Sequence, residues 1–484
     1  MNSYQPPLNQ IALSVVDLRL TDRWFREGFG FLPAGGSRIM ASSPLTARVQ
    51  GVPRSASTMW WLVGRDAGFQ LELFQFRRPI ARLMPAEFRP CDIGYTRMGV
   101  TVENFDATLS RLADLGTRPF GPTMGEPGKR RVCVRNPDGV YVEIMEADPL
   151  AGFTGAAAAP CQAAARSVTV STPDLEASVR YFTQLCGKAP EDIALHEARH
   201  EALWGLAHAR CERAVFRAGS VLLEVVQYLD PPGKPRPAGY RICDQGILNI
   251  AFGADNRTDF QTVYDRVVAV DATPNCRPIH LPFKPRAGVV YVNDRLGFSV
   301  EIVWMAPGRD KRDWGWHPLP IAKRPDPDNQ RISGQVRLRA AVNQVWAILN
   351  DQEAMSKWSG FDPVEVTRAG FTERNGRGCA RSMNGPTGRV VEQIVAVEPK
   401  HSIRYRVIKG SPFYDHQGEI RLRAMGGETE VTWTIRFRSR APFMGRLWRI
   451  LLQRMLDRTL TSGLKRYVEG AASVSAKVST SHPA

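Results

Sequence analysis

Asn136-Pro-Asp-Gly-Val-Tyr-Val-Glu-Ile-Met-Glu146 is a turn followed by a short strand with one glutamate at its centre, and the strand recurs three more times. The other copies are Phe69-Gln-Leu-Glu-Leu-Phe-Gln75, Val221-Leu-Leu-Glu-Val-Val-Gln227 and Phe298-Ser-Val-Glu-Ile-Val-Trp304. Side chains alternate between faces along a strand, so Glu72, Glu143, Glu224 and Glu301 share one face with Gln70, Tyr141, Leu222 and Ser299. The opposite face is aliphatic in every copy: Leu71 and Leu73, Val142 and Ile144, Leu223 and Val225, Val300 and Ile302. One half-buried strand would explain one outward, solvated glutamate. The same acid at the same point of four repeats points instead to a shared structural role.

Each copy closes a longer unit. From Leu8 the pattern predicts a strand over Ile11 to Val16 and a helix through Trp24 and Phe25 to Gly28, capped by Asp17, then strands ending in the Glu72 copy. The same order returns with a strand at Met98 to Val102 and a helix from Phe105 to Leu115. It returns again at Val168 with a helix holding Tyr181 and Phe182, and again at Asn249 with a helix from Phe260 to Val270. The expected architecture is α+β: four βαβββ modules making two domains, 8–148 and 165–305, joined by the Ala-rich stretch 151–165. A second linker, Arg309 to Gln330, leads to a third domain at 332–470 with alternating strands at 403–407, 419–423 and 430–437. That domain ends in a long helix from about Met444 to Gly470, and a polar tail follows Ala471. Leu447, Leu451, Leu464 and Val468 give the last helix an apolar stripe beside Arg446, Arg449, Arg454 and Arg458. Such a basic amphipathic helix suits a membrane surface, but packing on its own sheet is the favoured reading.

With 484 residues the chain is long enough for three cores. Its formal net charge of +16 favours anionic partners. The arginines are scattered rather than gathered in a run, which argues against nucleic acid. The eight cysteines form no CxxC pair and read as reduced thiols of a cytoplasmic protein. No segment resembles a signal peptide, and no run of apolar residues suits membrane insertion.

The stretches Gln10-Ile-Ala-Leu-Ser-Val-Val-Asp-Leu18, Arg97-Met-Gly-Val-Thr-Val-Glu-Asn-Phe-Asp106 and Asn136 to Glu143 resemble the vicinal oxygen chelate superfamily of glyoxalases, extradiol dioxygenases and bleomycin-resistance proteins. Residues 332–470 resemble, by layout, the START-like polyketide cyclase/dehydrase group, a helix-grip fold around an apolar cavity. In enzymes of the first family a divalent metal is held by His or Gln on the first strand of a module and Glu on the last. The corresponding positions here are Gln10, Glu72, Arg97 and Glu143 in the first half, and Ser167, Glu224, Asn249 and Glu301 in the second. The glutamates match and the histidines do not. Arg97 cannot ligate, because its guanidinium stays protonated and offers only donors. No cofactor is therefore expected, although a divalent metal would find some oxygen ligands.

His196-Glu-Ala-Arg-His200 fits the zinc-peptidase spacing HExxH. It falls in a loop of a repeat module, so the plain reading is a pair of loop or cavity-wall histidines. Arg97 is expected to lie between Glu72 and Glu143, fixing the floor of the first domain or meeting a substrate oxygen. In the second domain Glu224 and Glu301 are expected to face each other without a cation, one raised in pKa, as an acid and a base. Asp244 and Asn249 stand near that mouth, and Asp244-Gln245-Gly246 reads equally as an ordinary turn. In the third domain Trp358, Tyr414 and His416 are candidates for the cavity wall. The implied ligand is a bulky, largely apolar, oxygenated molecule of polyketide, aromatic or steroid-like kind. Three functions remain open: a metal-independent isomerase, cyclase, dehydratase or lyase; a ligand-sequestering protein; and a metal-dependent dioxygenase or glyoxalase-like enzyme.

Overall fold

In the computed structural model, residues 4–37, 42–151, 161–281, 287–305, 315–319, 329–385 and 388–470 are described. The chain forms two compact units, Met1–Ala322 and Lys323–Ala484. The expected linkers lie largely outside the described residues, at 152–160, 309–314 and 320–328, as does the tail from 471. The first linker ends sooner than its composition suggests, because Ala163–Ser171 is already a fully buried strand.

The four βαβββ modules are present in the first unit, but they pair in an order that the sequence did not suggest. Leu8–Ser14 runs parallel to Gln70–Arg78 within the first module and antiparallel to Gly246–Ala254 of the fourth, which is itself parallel to Ser299–Met305. These strands belong to one nine-stranded sheet. A second, six-stranded sheet joins the inner modules: Gly94–Val102 runs antiparallel to Ala163–Ser171, and each is parallel to the glutamate strand of its own module, Tyr141–Met145 and Val221–Asp230. Chain neighbours usually share a sheet. Here the first and last modules share one and the middle two the other, so the expected domains 8–148 and 165–305 are replaced by a single unit. The reason lies in the first strand of each module, which is buried along its whole length and must sit in the middle of a sheet.

The alternation read from sequence holds. Leu71 and Leu73, Val142 and Ile144, Leu223 and Val225, and Val300 and Ile302 all enter one apolar core. The glutamates point to the other face. Asp17 caps the first helix, Leu18–Arg23, accepting from the amides of Arg19 and Leu20.

Because each half supplies strands to both sheets, a protease site inserted between Gly155 and Ala156 and cut in the folded protein should leave both fragments together in gel filtration. Separation of the fragments without denaturant would contradict this pairing.

The second unit is a seven-stranded antiparallel sheet from Asn329–Leu338 to Glu428–Ser439. The final helix, Gly445–Arg458, continues through a π-helical turn, Thr459–Leu464, to residue 470. Glycines let it approach closely: a Cβ on Gly334 would stand 2.7 Å from Leu460, and one on Gly463 would overlap the Trp358 carbonyl. Among the described residues no helix is long and apolar enough to cross a membrane.

Candidate active site

Strand register gives the four modules one common geometry. The residues opposite Glu72, Glu143, Glu224 and Glu301 on the first strands are Ala12, Gly99, Thr169 and Ala251. Two positions earlier stand Gln10, Arg97, Ser167 and Asn249, on the same face. Since the outer modules share a sheet, Gln10, Glu72, Asn249 and Glu301 form one constellation. Arg97, Glu143, Ser167 and Glu224 form the other.

The inner constellation is filled by its own ions. His196 places Nδ1 at 2.8 Å from Glu224 and Nε2 at 2.8 Å from Glu143. A neutral imidazole could donate to only one of them, so the ring is an imidazolium. Burial works against its charge, and Glu224 and Glu143 outweigh burial to raise its pKa. Arg97 does not lie between Glu72 and Glu143 as expected. It donates to Glu224 at 2.7 Å and to the Tyr228 hydroxyl at 3.0 Å, with its guanidinium 4.0 Å from the Trp204 ring centre. Tyr228, Trp204 and Arg213 all donate to Glu201. Arg131 donates to Glu143 at 2.9 Å. Burial alone would raise both repeat glutamates. Instead His196 and Arg131 bring Glu143 down to about 2, while His196 and Arg97 hold Glu224 well below the usual range.

A divalent cation does not fit this constellation, because an imidazolium and a guanidinium already occupy both glutamates. Ala198–Trp204 is a short 3-10 helix rather than a peptidase helix, and His200 is turned to accept from the Glu197 amide. His200 is held neutral, its pKa lowered to about 4 by burial and by Arg131.

The outer constellation has the opposite character. Trp61 Nε1 donates to Glu72 at 2.9 Å, and Gln10 also bonds that carboxylate. Tyr291, opposite Glu301 in the register, bonds Glu301. Among the described residues no Lys, Arg or His acts on either acid. Burial first, and then Glu301, push Glu72 well above its ordinary value. Burial raises Glu301 to about 7, against the pull of Tyr291 and Asn249. Glu72 is buried and Glu301 half-buried, so Glu301 is the member that a ligand can reach. The Asn249 amide weighs on the titration of Glu301 and Tyr291. The amide nitrogen bonds these two groups, whereas the amide oxygen has no partner among the described residues, although Asn249 is wholly buried. A group in that position is either paid for elsewhere or completed by a ligand.

The expected Glu224–Glu301 pair is therefore corrected to Glu72–Glu301, because Glu224 belongs to the other sheet. Among the described residues no group of three or more His, Cys, Asp and Glu could hold a metal. The outer set would offer a hard cation two carboxylates and the amide oxygens of Gln10 and Asn249, and the unpartnered Asn249 oxygen fits that use. Around the acids stand Met59, Phe74, Trp61 and Val303. Residues 315–319 lie against this edge: Gly315 abuts the Trp61 ring, Trp316 Nε1 donates to Met305 Sδ at 3.4 Å, and the Leu319 amide donates to Pro33.

Asp244 is not a free acid at the mouth. Arg82 and Arg241 bind it and hold its pKa down against burial. The neighbouring Gln245 side chain bonds Asp138 and the Met84 amide, the ordinary-turn reading.

In the second unit, Trp358 is core, 6.1 Å from Trp433, with its indole N–H unpartnered among the described residues. His416 contacts Phe413 and is held neutral, its pKa lowered to about 4 by burial. Tyr414 is half-buried beneath Arg440. The sequence reading missed a buried polar cluster there: Arg381 donates twice to Glu392, at 3.0 and 2.7 Å, and also to Gln352, beside Tyr405. It also missed His196 as an ion bridge, together with Glu201, Trp204, Arg213 and Tyr228. The available signal was the polar and aromatic stretch 196–204, which has no counterpart in the other modules.

Residues 329–469 match the family model described as polyketide cyclase / dehydrase and lipid transport. Similar solved structures include a glyoxalase I variant from Zea mays, 14% identical, covering 62% of this chain and 92% of that one at a TM-score of 0.40. A protein described as a dioxygenase from Bacillus subtilis is 10% identical and covers 66% and 92% at a TM-score of 0.44. A START superfamily protein from Mycobacterium smegmatis is 16% identical and covers 29% and 98% at a TM-score of 0.27. No curated protein matches the chain.

Proposed function

We propose that the chain is an enzyme of isomerase, cyclase, dehydratase or lyase type, moving a proton on a bulky, largely apolar, oxygenated small molecule at the Glu72–Glu301 pair. One observation carries the reading: two neighbouring buried carboxylates have no basic partner among the described residues, so they resist ionising together at neutral pH. Glu301 is the reachable member and serves as the base that takes a proton from a carbon beside a carbonyl, or as the acid that returns it. Glu72, held by Trp61 and Gln10 and raised well above its ordinary value, favours its protonated form beside Glu301. Tyr291 is pushed well above its ordinary pKa by burial and by both acids. It therefore stays a donor, and the Asn249 amide beside it can bond the substrate oxygen as negative charge develops there. Met59, Phe74 and Val303 supply apolar contact for the rest of the ligand.

A second reading, a hard cation between Glu72 and Glu301 with the Asn249 oxygen as a ligand, rests on that unpartnered oxygen. Deuterium uptake from heavy water into apolar aromatic ketones separates the two. Proton transfer by the carboxylates predicts exchange that survives exhaustive chelation and falls on the acid side with an apparent pKa near 7. Exchange lost on chelation and restored by Mg²⁺ or Mn²⁺ would transfer the site to the cation. Tight binding without exchange would make the chain a sequestering protein.

A further inference from the structure

The final helix turns two faces to different surroundings. Leu456, Leu460, Leu464 and Val468 are buried against the sheet, and Trp448 packs on Phe413 at 5.2 Å. The stripe read from sequence as one packing face is thereby split. At its other end Phe443 is 83% exposed, Leu447, Ile450 and Leu451 each 47%, and Met444 37%. Positions 447, 450, 451 and 454 follow the spacing of one helical stripe. These five residues adjoin one another, whereas exposed apolar side chains of soluble proteins are usually scattered singly.

Two features indicate what covers them. Arg446, Arg449 and Arg454 are exposed beside the patch and make no ion pair among the described residues. Arg446 and Arg449 sit in the first turns of the helix, where its dipole disfavours positive charge, so helix stability does not account for them. Phe443 holds a left-handed backbone, φ +63°, which is costly for a non-glycine residue and here leaves its ring pointing to solvent.

We infer that this patch docks on an anionic lipid bilayer, with Phe443, Leu447, Ile450 and Leu451 entering the interface and the arginines meeting headgroup phosphates. An apolar face with a cationic collar is what interfacial helices bury. Docking would hold the helix that covers the START-like sheet at the source of an apolar ligand.

Sedimentation of the full chain with large vesicles tests this. Binding is expected to vesicles containing phosphatidylglycerol and not to phosphatidylcholine alone, and to weaken with salt. The combined variant Leu447→Ser, Ile450→Ser, Leu451→Ser should partition at least about tenfold less. Each of Arg446→Gln, Arg449→Gln and Arg454→Gln should cost about fivefold. All six side chains are exposed, so melting temperatures should hold and loss of fold would not mask the result. Failure of the wild-type chain to sediment with either vesicle, or undiminished partition of the serine variant, overturns the inference. Self-association abolished by the serine substitutions, without vesicle binding, overturns it in favour of a second copy of this chain.

Discussion

Glu301→Gln is expected to lose about 10²–10⁴ in proton-transfer rate while the folded protein becomes more stable at neutral pH. Gln keeps the size of the side chain and an oxygen to accept from Tyr291, but it can neither take nor return a proton, so binding should survive while turnover falls. The gain in stability follows from the direction of the shift. Glu301 ionises near its ordinary value when unfolded and only at about 7 when folded. As pH rises between those values the unfolded chain releases a proton that the folded chain keeps, and the native state loses stability over that window. Removing the carboxylate restores this, by on the order of 2–3 kcal/mol at and above neutrality and nothing below about pH 4.5. Glu72→Gln should act in the same direction. Melting curves at several pH values check the stability change, and the deuterium exchange assay checks the rate. A variant that is inactive and also less stable at neutral pH would contradict the unpaired-acid reading.

Arg97→Met should have the reverse signature, destabilising the first unit by about 3–5 kcal/mol at neutral pH. It leaves Tyr228 without its donor and strips Glu224 of its closest guanidinium, in a buried place. Glu143 and Glu224 are depressed in the folded state, so their contribution is full above about pH 4.5 and lost as pH falls through their folded values. The gap between wild type and variant should therefore shrink in acid. His196 is raised, so its own share is full below its unfolded pKa and disappears as pH rises through its folded one. Denaturant titration at neutral pH and near pH 3 checks this, and an unmoved neutral transition would mean that Arg97 does not hold the network together. Glu224→Gln belongs with this variant, as a stability change rather than a loss of base.

The repeat was legible because period-2 alternation is imposed by the strand itself: each glutamate and its aliphatic neighbours had to face opposite ways, and they do. Legible too were the module order, the Asp17 cap and the layout of the last domain. The pairing of modules was not, since Leu8–Ser14 meets Gly246–Ala254 across more than two hundred residues and nothing local encodes that choice. The misassigned acid pair follows from it. The chemistry of a cation-free acid pair was recognised, but Glu224 was assigned to it in place of Glu72. The stretch 196–204 marked out His196 and Glu201, but their partners are set by a loop folding into the sheet, not by spacing along the chain.

Difference infrared spectroscopy tests the central claim most directly, since the C=O stretch of a protonated carboxyl is distinct from that of a carboxylate and needs no substrate. At neutral pH the wild-type protein should show buried protonated carboxyl absorption whose component titrating near pH 7 is lost in Glu301→Gln and which disappears altogether when Glu72 and Glu301 are both replaced by Gln, while Glu143→Gln and Glu224→Gln leave it in place. A band absent at neutral pH, or one removed by the inner pair and kept by the outer, would contradict the account.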